Sequence, residues 1–517
     1  MEERVAERAT QPSVAVAALS GAVAGAAALG ISELLAGLLP GGSSLVVAVG
    51  DLVIALQPPG AKQFVVDLFG EADKLVLNLV IAGVALAGAA ALGVLARHRP
   101  RLAGAAFGVA GIGALAAALR DPLVEPLPTF LVAAAAVATA VLLLPRLLRA
   151  GSSPGAHAAE MPVWGRRRFI GASLAVAGLA VGGGWLGRAL LDGRREGAPV
   201  AGAIPPPVEG AQPPPSGASL DVEGVSPLVT PNPDFYRIDT ALLVPRPNVE
   251  TWRLVVSGMV DRPFELTYAE LLAMPLHEQY VTIACVSNEV GGNLVGNALW
   301  TGVRLKELLE QAGVQDGATQ IVGRAVDGFT AGFPTSWAMA PERESLVAVA
   351  MNGEPLPPSH GYPARLIVPG LYGYVSATKW LAEIELTTLE GFDAYWVPLG
   401  WAKEAPILTQ SRIDVPQAFA RLSAGTQPVA GVAWAPDRGI SRVEVQVDED
   451  GWQDAELSVP IADATWVQFV YRWDATPGEH ILRVRATDGD GEVQTEMRTP
   501  PPPDGARGHH TVRVEIE

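Results

Sequence analysis

The segment Tyr280–Leu305 has the sequence YVTIACVSNEVGGNLVGNALWTGVRL and contains Cys285, the only cysteine among 517 residues. It begins with an apolar, β-branched run typical of a buried strand, and a polar, glycine-rich loop follows the cysteine directly. The end of a strand is a place where a scaffold presents a side chain to a ligand. A single cysteine makes neither an intramolecular disulfide nor a Cys-x-x-Cys metal site. Cys285 is therefore either a small buried hydrophobic residue or a reactive thiolate that acts alone.

The region around this segment, residues 231–400, mixes short strands with short helices. TWRLVVSGMV is strand-like, while LTYAELLAM carries a capping box formed by Thr267 and Glu270. VRLKELLEQAGV places its leucines on one helical face and ends at Gly313. The pattern predicts an α+β domain.

Residues 401–517 change character. Apolar and polar residues alternate in SRVEVQVDEDGW, TWVQFVYRWD, HILRVRATDGDGEV and HTVRVEIE, with Asp-Gly turns between strands. Several short strands at this spacing predict a β-sandwich of immunoglobulin type. No cluster of charges or metal ligands stands out in it, so we expect an interaction or dimerisation domain.

The first 192 residues contain five apolar stretches near the length of about 20 residues that spans a bilayer. They are residues 14–39, 74–96, 102–119, 127–148 and 169–191. A sixth run, residues 44–56, is shorter and carries Asp51, which favours an interfacial or re-entrant segment. We predict a transmembrane domain of five helices over residues 1–192. A linker rich in proline and glycine follows over residues 193–230, too poor in apolar residues to pack, and tethers the distal domains.

Basic residues indicate the orientation of these spans. Arginines concentrate between spans two and three and between spans four and five, whereas the alternate loops are mostly acidic. The positive-inside rule then places the N-terminus in the cytoplasm and the distal domains outside. The fifth span begins GRRRFIGASLAVAGLAVGGG, which resembles a twin-arginine export signal despite its position after four spans. An ordinary basic anchor is the alternative.

The distal half is strongly acidic. The chain has 37 Lys and Arg against 54 Asp and Glu, a net charge of −17. Residues 1–200 carry +3 of this charge and the remainder carries −20. Binding to a phosphate backbone requires clustered cations, so nucleic acid is excluded as an expected partner.

Three separated motifs resemble the sulfite oxidase family of molybdenum-pterin enzymes over residues 230–517. IACVSNEVGG followed by GNALWTGVRLKELL is similar to the stretch that contains the family's molybdenum-ligating cysteine. SHGYPARLIVPGLYGYVSATKWLAEIEL is similar to its second signature, and GVAWAPDRGISRVEVQVDEDGW to the start of its appended dimerisation domain. The motifs occur in the family's order.

The resemblance implies a molybdenum ion held by one pterin dithiolene and by Cys285, which is then both metal ligand and catalytic residue. It implies two-electron oxygen-atom transfer, with the chemistry supplied by the cofactor and placement by the protein. The implied cofactor-binding residues are those that match the family's pterin pocket: Tyr236, Arg237, Cys285, His360, Arg365, Ser376, Thr378 and Lys379.

Departures from the family concern the substrate. Animal and plant sulfite oxidases carry Arg-Asn-His near the N-terminal segment that contacts the pterin, and an arginine five residues after the cysteine. Here the corresponding positions are Arg237-Ile238-Asp239 and Val290. Losing cations weakens the case for sulfite, because an oxyanion in a desolvated site needs fixed positive partners. We recognise no haem-binding domain, so electrons are expected to pass to or from a separate carrier, a cytochrome or the quinone pool, or through the membrane spans.

The sequence thus predicts a multi-pass membrane oxidoreductase that acts outside the cytoplasm on sulfite or another small reduced sulfur compound. A homodimer is one assembly that the C-terminal domain would allow. The first alternative is a sulfoxide or N-oxide reductase, similar to the catalytic subunit of the bacterial protein-methionine-sulfoxide reductase. An alternative of another class is a non-enzymatic membrane-anchored receptor or assembly factor that kept the fold and lost the cofactor.

Overall fold

The computed structural model describes residues 12–56, 73–121, 123–152, 163–196, 203–340 and 343–517. These residues form two units. The first takes in the described residues up to position 196 together with Ala241–Val244, and the second takes in the described residues of 203–240 and of 245–517. Residue 122 and the other segments between these ranges are not described, and they include parts of the loops whose charges predict the orientation of the spans.

The first unit is helical. Its helices are α1 (Val14–Leu38), α2 (Leu45–Leu56), α3 (Asp73–Ala96), α4 (Pro100–Ala118), α5 (Pro126–Ala150) and α6 (Val163–Glu196). All except α2 are long and apolar enough to cross a membrane. The prediction of five helices of spanning length is therefore confirmed, and the short apolar run forms the 12-residue helix α2.

Glycines let helices of this unit approach closely. A Cβ atom on Gly30 of α1 would lie 2.6 Å from Ala180 Cα of α6, and one on Gly37 would lie 2.8 Å from Gly187 Cα. Small residues at such crossings allow backbones to pack where lipid gives no hydrophobic drive. At one end of the same pair, Arg188 Nη1 lies 3.9 Å from Glu33 Oε2. Close backbone packing and this ion pair both connect α1 with α6.

The second unit begins with an α+β region. Its strands are β1 (Arg253–Gly258), β2 (Phe264–Thr267), β3 (His277–Ala284), β4 (Val295–Arg304), β5 (Gln320–Ala325), β6 (Thr330–Pro334), β7 (Leu346–Met351), β8 (Glu354–Pro355), β9 (Arg365–Ile367) and β10 (Leu381–Thr387). Its helices are α7 (Tyr268–Ala273), α8 (Leu305–Ala312), α9 (Thr335–Met339) and α10 (Gly373–Ser376). One sheet has the order β2-β1-β10-β5-β6, and the other has the order β3-β4-β7-β8 with β9 beside β7.

Local sequence signals explain the helices that frame these sheets. Thr267 and Glu270 form the predicted capping box at the start of α7. Helix α8 buries Leu305, Leu308 and Leu309, and it ends at Gly313 with φ of +69°. Only glycine adopts that left-handed conformation without a steric cost. Both predictions are confirmed, and α8 contacts β4, which it directly follows, as well as β1 of the other sheet.

The C-terminal region contains two further sheets. Its strands are β11 (Gln410–Val415), β12 (Arg421–Leu422), β13 (Gly425–Trp434), β14 (Ile440–Val447), β15 (Gln453–Asp454), β16 (Glu456–Leu457), β17 (Val467–Ala475), β18 (Gly478–Asp488) and β19 (His510–Ile516). The sheet orders are β11-β13-β17-β16 and β12-β19-β18-β14-β15. Alternate residues such as Val443, Val484 and Val514 are buried in a shared apolar core. The β-rich character of the region is confirmed, and its immunoglobulin type stays a prediction.

Residues 203–230 differ from the expected tether. Their backbone hydrogen-bonds along the second unit: Val208 N donates to Leu276 O at 2.8 Å, and Leu220 N donates to Gln468 Oε1 at 2.7 Å. Composition predicted a free segment because few apolar residues are present. Main-chain donors and acceptors, which do not depend on side-chain hydrophobicity, instead attach this stretch.

Candidate active site

A pocket of about 740 Å³ of empty space, including its opening to solvent, lies beside the end of β3. Its lining includes Tyr236, Cys285, His360, Arg365 and Lys379, five of the residues singled out from the sequence. Residues far apart in the chain are therefore brought to one cavity by the ends of β3 and β9, by the loop before β9 and by the segment before β10.

Cys285 follows the last residue of β3 and is 7% exposed. Its N–H donates to Leu294 O at 2.9 Å, and its carbonyl accepts from Asn288 N at 3.1 Å. Asn288 Oδ1 accepts in turn from Leu294 N at 2.8 Å. The polar loop thus closes on itself, so that the thiol is presented at the pocket by a strand end and a hydrogen-bonded turn.

The C-terminal sheets contact this loop. Arg412 Nη1 of β11 donates to Gly292 O at 2.7 Å, while its Nε pairs with Asp414 at 2.7 Å. The ring of His510, at the start of β19, packs where a side chain on Gly291 would lie. The Nδ1 atom of His510 accepts from Ile413 N at 3.0 Å, which fixes the ring. The loop after Cys285 is therefore held by both regions of the second unit.

Tyr236 and Gly373 flank Cys285 within the pocket. A Cβ atom on Gly373 would lie 3.7 Å from Ala284 O and 3.8 Å from Tyr236 Oη, so the absence of a side chain leaves space between the end of β3 and the Tyr236 hydroxyl. Burial and the nearby Cys285 raise the pKa of Tyr236 well above its usual range. Its hydroxyl is therefore protonated at neutral pH and can act as a hydrogen-bond donor.

Arg365 is a buried cation at the start of β9. Its Nη1 donates to His360 O at 3.0 Å, and its guanidinium carbon lies 5.0 Å from the ring centroid of Trp300. Burial lowers its pKa to about 10, so it stays charged at neutral pH. Among the described residues, no atom accepts a hydrogen bond from its buried Nε. An unused donor on a buried cation fits an anionic group of a ligand.

His360 is neutral. Its Nε2 lies 3.1 Å from Asn232 O, an acceptor, so Nε2 carries the proton and Nδ1 is left as an acceptor. Burial lowers the pKa of His360 to about 4, and the nearby Arg365 and Lys379 add to this effect. The imidazole therefore contributes hydrogen bonding to the pocket and no charge.

Lys379 pairs with an acid that the sequence marked only as a departure from the family pattern. Its Nζ lies 2.8 Å from Asp239 Oδ2, and Arg237 Nε lies 3.1 Å from the same oxygen. The side chains of Asp239 and Lys379 are 3% and 10% exposed, whereas that of Arg237 is 41% exposed. Burial lowers the pKa of Lys379 to about 8 despite the carboxylate. The pair remains largely ionic at neutral pH.

The other two residues predicted from the second motif use their hydroxyls locally. Ser376 Oγ donates to Tyr372 O at 3.1 Å, and Thr378 Oγ1 donates to Gly323 O at 3.4 Å. Neither Ser376, Thr378 nor Arg237 belongs to the lining of the pocket. Their roles toward a cofactor stay predictions. Asp327, which does line the pocket, follows β5 and gave no sequence signal of its own.

Comparison with known proteins agrees with this geometry. A family model described as "Oxidoreductase molybdopterin binding domain" matches residues 241–396. The Uncharacterized oxidoreductase YuiH of Bacillus subtilis (strain 168) is 38% identical over 150 residues, which are 29% of this chain and 72% of that protein. The mitochondrial sulfite oxidase of Mus musculus is 33% identical over 274 residues. The chain belongs to the sulfite oxidase family of molybdopterin-dependent oxidoreductases.

The family match covers part of the chain. The aligned residues are 44% of this chain and 49% of the mouse sulfite oxidase, so the chain spans about half the length of that curated relative. A crystal structure of the sulfane dehydrogenase SoxCD from Paracoccus pantotrophus aligns with a TM-score of 0.49 and 24% identity, over 57% of this chain and 82% of that chain. The predictions of an oxidoreductase and of a molybdopterin cofactor are confirmed at the level of the family.

The residues at the pocket fit this cofactor. A cysteine thiolate is a suitable donor for molybdenum, and Cys285 lines the pocket. The buried Arg365 cation keeps a donor that the described protein does not use, as an anionic pterin phosphate requires. His360 and Lys379 line the same cavity, where a neutral imidazole and an ammonium supply further hydrogen bonds. Cys285 would hold the metal, and these three residues would hold the pterin and its phosphate.

Proposed function

We propose that this protein is a membrane-anchored molybdenum oxidoreductase that transfers an oxygen atom to or from a small sulfur compound outside the cytoplasm. The observation that carries the proposal is the juxtaposition, in one cavity, of Cys285 with the buried cation Arg365. A receptor that had lost its cofactor would have no need for a buried arginine with an unused donor.

The side chains have separate tasks in this proposal. When bound, the cofactor supplies two-electron oxygen-atom transfer. The Cys285 sulfur holds the metal, Arg365 holds an anionic group of the pterin, and the protonated Tyr236 hydroxyl donates a hydrogen bond toward a substrate oxygen. The apolar side chains Phe235 and Ile283 line the same pocket and limit the entry of water.

Sulfite or another small reduced sulfur compound is the first substrate class considered. Reduction of a sulfoxide or N-oxide is the second candidate, and the aromatic lining supplied by Phe329, Trp380 and Trp396 favours it. Aromatic rings contact uncharged organic groups well, whereas they give little to a small hydrated oxyanion.

The five apolar helices support the membrane anchor, and the arginine-rich loops support an external active site. Because no haem-binding segment is recognised in the sequence, the electron partner in this proposal is a separate cytochrome or the quinone pool. A homodimer formed through the C-terminal region, whose immunoglobulin type is part of the same proposal, completes this description.

Substitution of Cys285 by serine tests the proposal. The purified full-length variant should keep its thermal stability and lose turnover with sulfite and with sulfoxides, each assayed with artificial electron donors and acceptors. Ser287→Ala, two residues further along the same loop, is the matched control and should retain activity and molybdenum. Full activity of Cys285→Ser, or a wild-type protein with neither molybdenum nor pterin fluorescence, would refute the proposal.

A further inference from the structure

Transfer of an oxygen atom to or from a sulfur compound moves protons as well as electrons. In the reducing direction, a sulfoxide takes up two electrons and two protons and gives a thioether and water. In the oxidising direction, sulfite and water give sulfate and release two electrons and two protons. A pocket lined by apolar and aromatic side chains admits little bulk water, so it needs a side chain that passes these protons to and from solvent.

Most titratable residues of the pocket are already engaged. Six of them have a task or a charged partner described above: Tyr236, Asp239, Cys285, His360, Arg365 and Lys379. The hydroxyl of Tyr374 donates to Ala402 O at 2.7 Å, and burial raises its pKa well above the usual range. Asp327 is the remaining titratable residue of this lining. Among the described residues, no cation forms an ion pair with its carboxylate, and its hydrogen-bond partner is the Phe329 N–H.

Asp327 lies in the turn between β5 and β6, where the pocket meets solvent. Its Oδ1 accepts from Phe329 N at 3.1 Å, and the turn is closed by Ala325 N, which donates to Phe329 O at 2.9 Å. The next residue, Gly328, is exposed and has φ of +87°. Asp327 itself is half-buried and belongs to the lining of the cavity. Its carboxylate is therefore placed between the cavity and bulk water.

The surroundings of this carboxylate favour proton exchange. Val326 N donates to Trp380 O at 2.9 Å, which ties the turn to the segment that carries Lys379. Burial raises the pKa of Asp327, and the nearby Asp239 carboxylate adds to this effect, whereas the Lys379 ammonium opposes it. A carboxyl with a raised pKa is a better proton donor and acceptor near neutral pH than an ordinary exposed acid.

We propose, building on the function proposed above, that Asp327 exchanges protons between solvent and the oxygen that is transferred in the pocket. In the reducing direction, the O–H bond of the Asp327 carboxyl breaks and its proton passes through pocket water to the oxygen that leaves as water. The carboxylate then takes a proton from solvent. Two such exchanges supply the protons of one turnover, and the separate cytochrome or quinone carrier supplies the electrons. Oxidation reverses each step.

The experiment uses the full-length holoenzyme in detergent and compares wild type with Asp327→Asn, which keeps an oxygen that can accept from Phe329 N. Turnover of sulfite and of dimethyl sulfoxide is measured with artificial carriers, from acidic to alkaline pH and in both light and heavy water. Asp316→Asn is the matched control. Asp316 is an exposed acid outside the pocket lining, and it also precedes a glycine of positive φ, Gly317 at +91°.

We expect Asp327→Asn to lower kcat by about tenfold or more and to leave KM unchanged, because proton transfer is affected and binding is not. Its solvent isotope effect should rise, and imidazole, a small diffusible proton carrier, should restore part of the rate in a saturable way. Asp327→Glu should retain most of the activity, and Asp316→Asn should behave as wild type. An unchanged kcat in Asp327→Asn, or a loss that imidazole does not restore, overturns the inference.

Carbodiimide labelling of the wild type, followed by peptide mass spectrometry, tests the carboxyl independently of turnover. Carbodiimides react with protonated carboxyls, so labelling of Asp327 should persist to a higher pH than labelling of Asp316. Equal pH dependence of the two labels overturns the inference. If Asp327→Asn does not fold, Asp327→Ser takes its place. A molybdenum-loaded wild type that turns over neither compound removes the proposed function and this inference with it, whereas an active wild type matched by Asp327→Asn removes the inference alone.

Discussion

Replacing Gly291 by alanine tests how tightly the C-terminal sheets hold the loop after Cys285. Gly291 has φ of +82°, and a Cβ atom there would overlap the imidazole ring of His510, with 2.9 Å to Cγ. Two costs follow, one from the backbone and one from the contact. The control is Gly328→Ala, because Gly328 has a similar φ of +87° and no atom within 4 Å of its Cβ position.

The expected magnitudes separate these costs. A left-handed conformation costs an alanine about 1 kcal/mol, and both variants share this loss. Overpacking against a fixed ring adds roughly 1–3 kcal/mol at Gly291 alone. The ring has little freedom to move, since its Nδ1 accepts from Ile413 N at 3.0 Å. At about 2 °C per kcal/mol for a large domain, Gly291→Ala should melt about 2–6 °C below Gly328→Ala.

The assay is thermal unfolding of the purified protein, followed by tryptophan fluorescence, together with molybdenum content after purification. Gly291→Ala should lose molybdenum as well as stability, because the shifted loop directly follows Cys285, the proposed metal ligand. Combining it with His510→Ala should give a double variant that is more stable than the sum of the two changes indicates. Equal melting temperatures for Gly291→Ala and Gly328→Ala would refute the reasoning.

Three further predictions concern charge and packing. Burial lowers the pKa of His360 from its usual 6.5 to about 4 in the folded protein, so the unfolded chain binds this proton at a higher pH. As pH falls between these two pKa values, the free energy of unfolding should decrease by about 3 kcal/mol. His360→Gln should reduce this pH dependence in urea unfolding, and an equal pH dependence in the variant and wild type would contradict the prediction. Lys379→Met removes the ammonium that pairs with the buried Asp239 carboxylate and should lower the free energy of unfolding by roughly 3 kcal/mol. Adding Asp239→Asn should restore most of this loss. A double variant no more stable than Lys379→Met would contradict the pairing. Gly30→Leu should disrupt the contact between α1 and α6 and lower the thermal stability in detergent. Gly178→Leu is the control and should not lower it, because the space at the Cβ position of Gly178 is open. Similar melting temperatures for the two variants would contradict close packing of α1 against α6.

The sequence alone determined much of the architecture and the identity of several pocket residues. Apolar stretches of bilayer length predict α1 and α3–α6 because spanning hydrocarbon imposes a length on the chain. The capping box at Thr267 and the stop at Gly313 predict α7 and α8 because these signals act within one turn of helix. The cysteine motif and the second signature identified Cys285, His360, Arg365 and Lys379.

Only the tertiary structure decided how the charges of the site are distributed. The pairing of Asp239 with Lys379 joins positions 140 residues apart, and the contact of Arg412 with Gly292 joins positions 120 residues apart. No periodicity or local motif records such pairs, because an ion pair depends on distance in space and on exclusion of water, whereas local propensity depends on neighbours along the chain. The sequence therefore determines which residue types are present at the site. The ion pair between Asp239 and Lys379 and the contacts that hold the loop after Cys285 form only in the folded structure.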